Sequence, residues 1–346
     1  MKQVRLLLGV LILLSPVAKS FAQDNTLLGA GSSFVYPLFS KMFAEYDKEY
    51  KVKVNYQSVG SGAGILQLTN KTVDFGASDA PLNEEQSKKA GAPVLHIPMA
   101  AGGVVVTYNI PGVSSDIKMT PNLISEIYLG KITNWKNVEI MNINKGVALP
   151  DLGIIVIHRS DGSGTSFCFT DYLSKVSPEW KSKVGKATSV NWPAGLGGKG
   201  NEGVAGLVKQ TPGGIGYVEL AYAIQNKMPV AQVQNSAGKF ITPNLASITA
   251  AGNIELPADA KVSITNTSNP AGYPISTFTW AMIYKEQNYN NRSAARAKDL
   301  LKLLSWNVTK GQIYCAPLNY AMLSKEALNV AEILLKSATY KGKSIL

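Results

Sequence analysis

The stretch that decides the architecture is "LGIIVIHRSDGSGTSFCFTDYLSKV", residues 152–176. It opens on an apolar run with the length and β-branched content of a buried strand, ending in a basic pair. Its last part, "SFCFTDYLSKV" (166–176), predicts a helix with Phe167, Tyr172 and Leu173 available for the buried side. Between them stands "DGSGTS" (161–166), bare backbone with dense hydroxyls, directly after Arg159. A strand, a glycine-rich turn and a helix in that order is one unit of a layered α/β fold.

Three other segments share the design: "GAGSSF" (29–34), "GSGAG" (60–64) and "GASDAP" (76–81). Each lies where a predicted strand gives way to a predicted helix. At that junction the first N–H groups of the helix have no partner in the chain, and the helix dipole favours an anion. Glycine lets an anion approach the backbone, and Ser or Thr hydroxyls add donors at the same edge. One such turn is ordinary N-cap chemistry. Four of them, one beside an arginine, point to an anion held from several sides.

Arg159 offers a planar pair of donors to a carboxylate, sulfate or phosphate. Asp161, two residues on, is either a surface partner of that guanidinium or the brace that holds it for a ligand. Asp79 is the odd member, because a carboxylate repels an anion. It either caps the helix that starts near Pro81 or accepts a hydrogen bond from a ligand that brings its own proton. Phosphate near neutral pH keeps a proton and sulfate keeps none, so a buried carboxylate here would discriminate between them.

The remaining pattern continues the alternation. Helices are predicted over 33–50, 61–70, 82–90, 120–132, 201–210, 295–308 and 325–338, and extended segments over 25–31, 53–60, 73–79, 93–110, 213–220 and 273–285. This argues for α/β layers with mostly parallel sheets. Residues 235–272 are polar and turn-rich and read as a surface excursion. No Pro/Gly linker divides the chain, so two domains would require it to cross between them more than once.

Residues 1–22 have a basic start, an apolar run from Leu6 to Leu14 and small residues before Gln23. They read as a secretory signal peptide cleaved after Ala22, with a run too short to span a bilayer. No cysteine stands near that point to carry a lipid, so the expected product is a soluble protein outside the cytoplasm. Losing Lys2, Arg5 and Lys19 and no acid lowers the net charge from +11 to +8. The basic residues are scattered and not interleaved with aromatics, which speaks against nucleic acid as a partner. Cys168 and Cys315 could pair in an oxidising compartment or remain buried thiols. Two histidines (His96, His158) and two cysteines at unrelated spacings make no metal-ligand set, and no cofactor is implied.

Over nearly all of the mature chain the sequence resembles the phosphate-binding proteins of bacterial phosphate-specific (Pst) ABC importers. The resemblance rests on "GAGSSFVYPLF", "VNYQSVGSGAGI", "TVDFGASDAPL", "GGVVVTYNIPG", "IYLGKITNW", "RSDGSGTSFCFTDYL", "WPAGLGGKGNEGVAGLVKQTPGGIGYVELAYA" and "YPIST", all in one order. It implies a two-lobed periplasmic binding protein of type II, each lobe a mixed sheet flanked by helices, with the ligand in the cleft between them. Residues 24–106 with 275–346 would form one lobe and 107–274 the other. Carried over by motif, the first lobe supplies Ser33, Phe34 through its N–H, Ser61 and Asp79. The second supplies Arg159, Ser163, Gly164 through its N–H and Thr165, with Asp161 steadying Arg159.

Three positions depart from the family's pattern. Ser33 stands where Thr is frequent, His158 where a second Arg is common, and Cys168 has no counterpart in the motif. The resemblance further implies inorganic phosphate as ligand, membrane permease subunits as partners, a monomer, a periplasmic location and no chemistry on the ligand. The competing expectations are a binder of another oxyanion (sulfate, molybdate or arsenate) and a secreted hydrolase. "DGSGTS" is not a G-x-S-x-G elbow, because Asp161 occupies the first glycine's place, and His158 lies on the wrong side of the turn for a base.

Overall fold

The structure is a computed structural model and describes residues 26–113 and 116–346. The expected signal peptide, residues 1–22, lies outside the described residues. Eight strands form one sheet: β1 (Leu27–Gly31), β2 (Val54–Ser58), β3 (Phe75–Ser78), β4 (Val94–Tyr108), β5 (Ile155–Arg159), β6 (Leu196–Gly198), β7 (Gly214–Glu219) and β8 (Ser276–Tyr284). Their order is β2-β1-β3-β8-β4-β7-β5-β6.

β4 joins the two halves of this sheet. Val94 to Gly103 pair antiparallel with β8, whereas Val104 to Tyr108 pair antiparallel with β7. On one side β2, β1 and β3 run parallel, and on the other β6, β5 and β7 do. The sheet is therefore mixed rather than mostly parallel as the alternation suggested. β4 and β8 are buried on both faces, so their continuous apolar runs read the same in either direction.

Each glycine-rich turn does lead from a strand into a helix: α1 (Tyr36–Tyr50) after β1, α2 (Ser61–Thr69) after β2, α3 (Glu84–Ala90) after β3 and α4 (Gly164–Val176) after β5. α1 buries Leu38, Phe39, Met42, Phe43 and Tyr46 on one stripe, and Phe39 and Phe43 meet Tyr56 of β2 and Phe75 of β3 edge-on or tilted. Full burial of such a ring contributes about 1.5–3 kcal/mol. α4 buries Cys168, Phe169, Tyr172 and Leu173. Phe167, expected on that face, is only partly buried, with the Lys186 ammonium over its ring. Phe169 takes its place and stacks on Tyr217 of β7 at 4.4 Å.

The turn-rich segment 235–272 contains a helix, Leu245–Gly252, opened by a capping box of Asn244 and Ser247. Cys168 and Cys315 are separate buried thiols, so the disulfide alternative is not realised. Among the described residues no helix is long and apolar enough to cross a membrane.

Candidate functional site

The site is built where the strand ends of the two halves face each other. On the first side β1 must turn hard against β3. Gly31 adopts φ +143°, and a Cβ there would lie 2.0 Å from the Ala77 carbonyl oxygen, so only glycine fits. The turn that follows carries Ser32, Ser33 and Phe34, all buried. Asp79, at the end of β3, is 1% exposed. The Ser32 hydroxyl reaches its two carboxylate oxygens at 2.6 and 2.8 Å, and Thr279 of β8 donates to Oδ1 at 2.8 Å. The Asp79 N–H donates to the Ser61 hydroxyl at 3.3 Å. Asp79 is not a helix cap, because Asn83 caps α3 with its own capping box. Burial pushes its carboxyl up from 3.8 to about 6, against the opposing pull of Ser32, Thr279 and Arg159.

On the second side Arg159 ends β5 with its side chain 1% exposed. Its Nε and Nη2 donate to the two oxygens of Asp161 at 2.7 and 2.6 Å, a bidentate fork that fixes the guanidinium plane. Its free edge points the other way, where Nη1 donates to the Thr165 hydroxyl at 3.3 Å. Asp161 also accepts from the Gly200 N–H at 3.1 Å. Burial would raise its carboxyl, but the bonds and charge of Arg159 outweigh that and leave it below the ordinary range. Ser163 is the N-cap of α4 and accepts from the Ser166 N–H, so Gly164 and Thr165 are the first helical residues, whose N–H groups lack intrahelical acceptors.

An aromatic column supports Arg159 from below. The Tyr217 hydroxyl accepts from the Arg159 N–H at 3.1 Å. Tyr217 stacks on Phe169 and on Trp192, and Trp192 stacks on His158 at 4.8 Å with an interplanar angle of 11°. His158 is therefore a stacking residue, and burial lowers its pKa further from charge. A ring at this position fits the column where an arginine would add a second cation.

The two sides are in contact. The Gly62 N–H donates to the Gly162 carbonyl at 2.8 Å. A Cβ on Gly164 would lie 2.5 Å from both Asp79 Oδ2 and Ser61 Oγ. Asn201 bridges from the start of helix Gly200–Gln210: its N–H and Nδ2 donate to the Ser33 hydroxyl at 3.2 and 3.0 Å, and Nδ2 reaches the Thr165 hydroxyl at 3.1 Å. Ser33, Ser61, Asp79, Arg159, Gly164 and Thr165 thus share one buried cluster. The Ser163 hydroxyl oxygen accepts at its cap, which leaves its hydrogen to donate, and the Phe34 N–H donates to the Ser32 hydroxyl at 3.0 Å.

Sequence reasoning missed several members. Asn201 belongs to a fifth glycine-rich turn, "GLGGKGNEG" (195–203), that could have been recognised by the same criteria. Ser32 was hidden beside Ser33. Thr279, Tyr222 and Tyr320 come from distant parts of the chain and gave no local signal. Tyr222 donates to the Ser33 carbonyl and Tyr320 to the Phe34 carbonyl, both at 2.6 Å.

Chemically, the cluster gathers amide, hydroxyl and guanidinium donors around one carboxylate acceptor, the complement of a tetrahedral oxyanion that carries a proton. The two histidines bond to backbone: His158 Nδ1 contacts its neighbour's carbonyl, and His96 Nε2 accepts from the Leu82 N–H. Among the described residues no group of three or more His, Cys, Asp or Glu could hold a metal ion.

Residues 16–306 match the family model described as a PBP superfamily domain. The chain is 45% identical over 313 residues to "Phosphate-binding protein PstS" of Xylella fastidiosa (strain 9a5c), covering 89% of this chain and 84% of that protein. It is 41% identical to the protein of the same name from Haemophilus influenzae, covering 89% and 92%. Among solved structures, a phosphate-binding protein from Stenotrophomonas maltophilia superposes with a TM-score of 0.69 at 20% identity, over 91% of this chain and 94% of that one. A high-affinity periplasmic phosphate-binding protein (PfluDING) bound with phosphate gives 0.71 at 20% identity, over 89% and 93%. At that identity the superpositions speak for the fold, and the longer sequence matches for kinship. The chain belongs to the PBP superfamily and, within it, to the PstS phosphate-binding proteins.

Proposed function

We propose that the protein captures inorganic phosphate between two lobes and delivers it to the permease of a membrane ABC importer, with export to the periplasm by residues 1–22. The observation that carries this reading is Asp79, a buried carboxylate placed among converging donors. Ser33, the Phe34 N–H, Ser61, Arg159, Ser163, the Gly164 N–H and Thr165 supply hydrogens to the oxygens, Asp79 accepts the ligand's own hydrogen, and Asp161 braces Arg159. The lobes would be residues 24–106 with 275–346, and 107–274, turning about β4 and β8. The open form binds the ion on one lobe, and closure brings the other lobe's donors onto the remaining oxygens and excludes water. Charge-assisted bonds contribute roughly 1.5–3 kcal/mol each, so a full set offsets dehydration and closure.

Calorimetric titration with phosphate, sulfate and arsenate tests the reading. Phosphate should bind far more tightly than sulfate, and equal affinities would sink it. Asp79→Asn should narrow the gap by admitting sulfate. The same variant has a stability signature. Because burial raises the Asp79 carboxyl to about 6, the folded protein holds that proton more tightly than the unfolded chain does. The linked stability is fully present below pH 3.8 and lost as pH rises through 6. Ligand-free Asp79→Asn should therefore gain on wild type across that window, on the order of 3 kcal/mol by neutral pH. Melting temperatures at pH 4 and pH 7 measure it, and an equal difference at both would refute the cause.

As a binding protein it performs no chemistry on its ligand. Purified protein should release no phosphate from an aryl phosphate ester, and a rate abolished by Ser163→Ala would restore the hydrolase.

A further inference from the structure

Glu219 ends β7 and pairs with Val104, the residue at which β4 passes from one half of the sheet to the other. It is completely buried. Its Oε2 accepts from the Ala221 N–H at 2.8 Å and lies 3.1 Å from the Tyr320 hydroxyl, while Oε1 has no hydrogen-bond partner. No lysine or arginine pairs with it among the described residues. The charged group that acts on it is Asp79, of like sign, and the phenols of Tyr222 and Tyr320 stand beside it. Burial pushes its carboxyl well above the ordinary range.

The hydrogens can be counted. A tyrosine hydroxyl has one hydrogen to give. Tyr320 lies 2.6 Å from the Phe34 carbonyl and 3.1 Å from Glu219, and the shorter contact takes the hydrogen. The longer contact is then a hydrogen bond only if the carboxyl brings its own proton. An ionised Glu219 would instead set an anionic oxygen against the phenol's lone pairs and leave Oε1 charged and buried with no donor from the protein.

We propose that Glu219 is a positioning residue for the oxyanion site, a neutral carboxylic acid whose Oε2–H donates to Tyr320 and so fixes that hydroxyl's hydrogen on the Phe34 carbonyl. Tyr222 holds the preceding carbonyl, that of Ser33, in the same way. In a trans peptide the Ser33 carbonyl and the Phe34 N–H point in opposite directions, so Tyr222 sets the plane of that N–H, while Tyr320 fixes the next peptide plane; together they hold the backbone of Phe34 from both sides. The inference rests on the reading of this turn as ligand-binding.

Infrared difference spectroscopy of wild type against Glu219→Gln tests the protonation, with and without inorganic phosphate. At about pH 8, Asp79, with its carboxyl near 6, is ionised. The carbonyl stretch of a protonated acid should appear in wild type and vanish in the variant, and a spectrum lacking that band overturns the proposal. Calorimetry with inorganic phosphate tests the positioning. Glu219→Ala should lose about tenfold in affinity, the worth of one hydrogen bond. Glu219→Gln, which can still offer an N–H to Tyr320, should recover most of it. Tyr320→Phe should lose a similar factor, and the double variant no more than the larger single. Losses that simply multiply would overturn the relay. If wild type fails to bind phosphate, the functional reading falls, while the band recorded without phosphate still decides Glu219.

Discussion

Arg159→Ala should weaken phosphate binding by about 3–6 kcal/mol, two charge-assisted hydrogen bonds at the usual worth of each. The guanidinium is already locked by Asp161 on one edge, so little of its binding energy is spent on ordering the side chain. Its removal also leaves the Asp161 carboxylate facing the site without its counter-charge, which turns an attractive surface repulsive. Arg159→Lys keeps the charge but cannot reproduce a planar fork, and should fall between wild type and alanine. Calorimetric titration of the three proteins decides the matter. Wild-type affinity in Arg159→Ala would remove Arg159 from the site.

Gly164→Ala should lower phosphate affinity by about 1–3 kcal/mol beyond any change in unliganded stability, the usual cost of one overpacked methyl group. The added Cβ would sit 2.5 Å from the Asp79 carboxylate and the Ser61 hydroxyl, both on the facing side. Its conflict exists only where the two sides touch, so the variant should fold normally and fail to close. Small-angle scattering would show wild type contracting on addition of phosphate and the variant remaining expanded. Full contraction of Gly164→Ala would refute the steric account. Gly206→Ala is the control: it lies within helix Gly200–Gln210, and a Cβ there meets nothing within 4 Å. It should bind phosphate normally and gain roughly 0.5–1 kcal/mol in stability from the lower entropy of alanine in the unfolded chain.

Much of this molecule can be read locally. The strand-turn-helix units carry their own punctuation in glycine and serine, and the structure sets a helix N-terminus after each of the four turns. Direction and pairing were not local. The antiparallel course of β4 and β8 depends on partners far apart in sequence, and a run buried on both faces carries no mark of it. Phe167 and Phe169 illustrate the same limit at side-chain scale. Both are apolar and near the start of α4, and the rings of Tyr217 and Tyr128, remote in sequence, pack on Phe169 and hold it in the core. Asn201 was legible in its glycine-rich turn and overlooked. Thr279 and Tyr320 were not legible, because their roles arise where remote segments meet over Asp79 and Phe34.

The double allegiance of β4 governs how related genes can be recombined. A chimera spliced once between Val94 and Tyr108 would take both neighbours, β7 and β8, from the downstream parent and mismatch them against the part of β4 that precedes the joint. An exchange that respects the fold needs two joints, one at the Gly103–Val104 step and one just before Ser276, so that the inserted block returns the chain to its original parent.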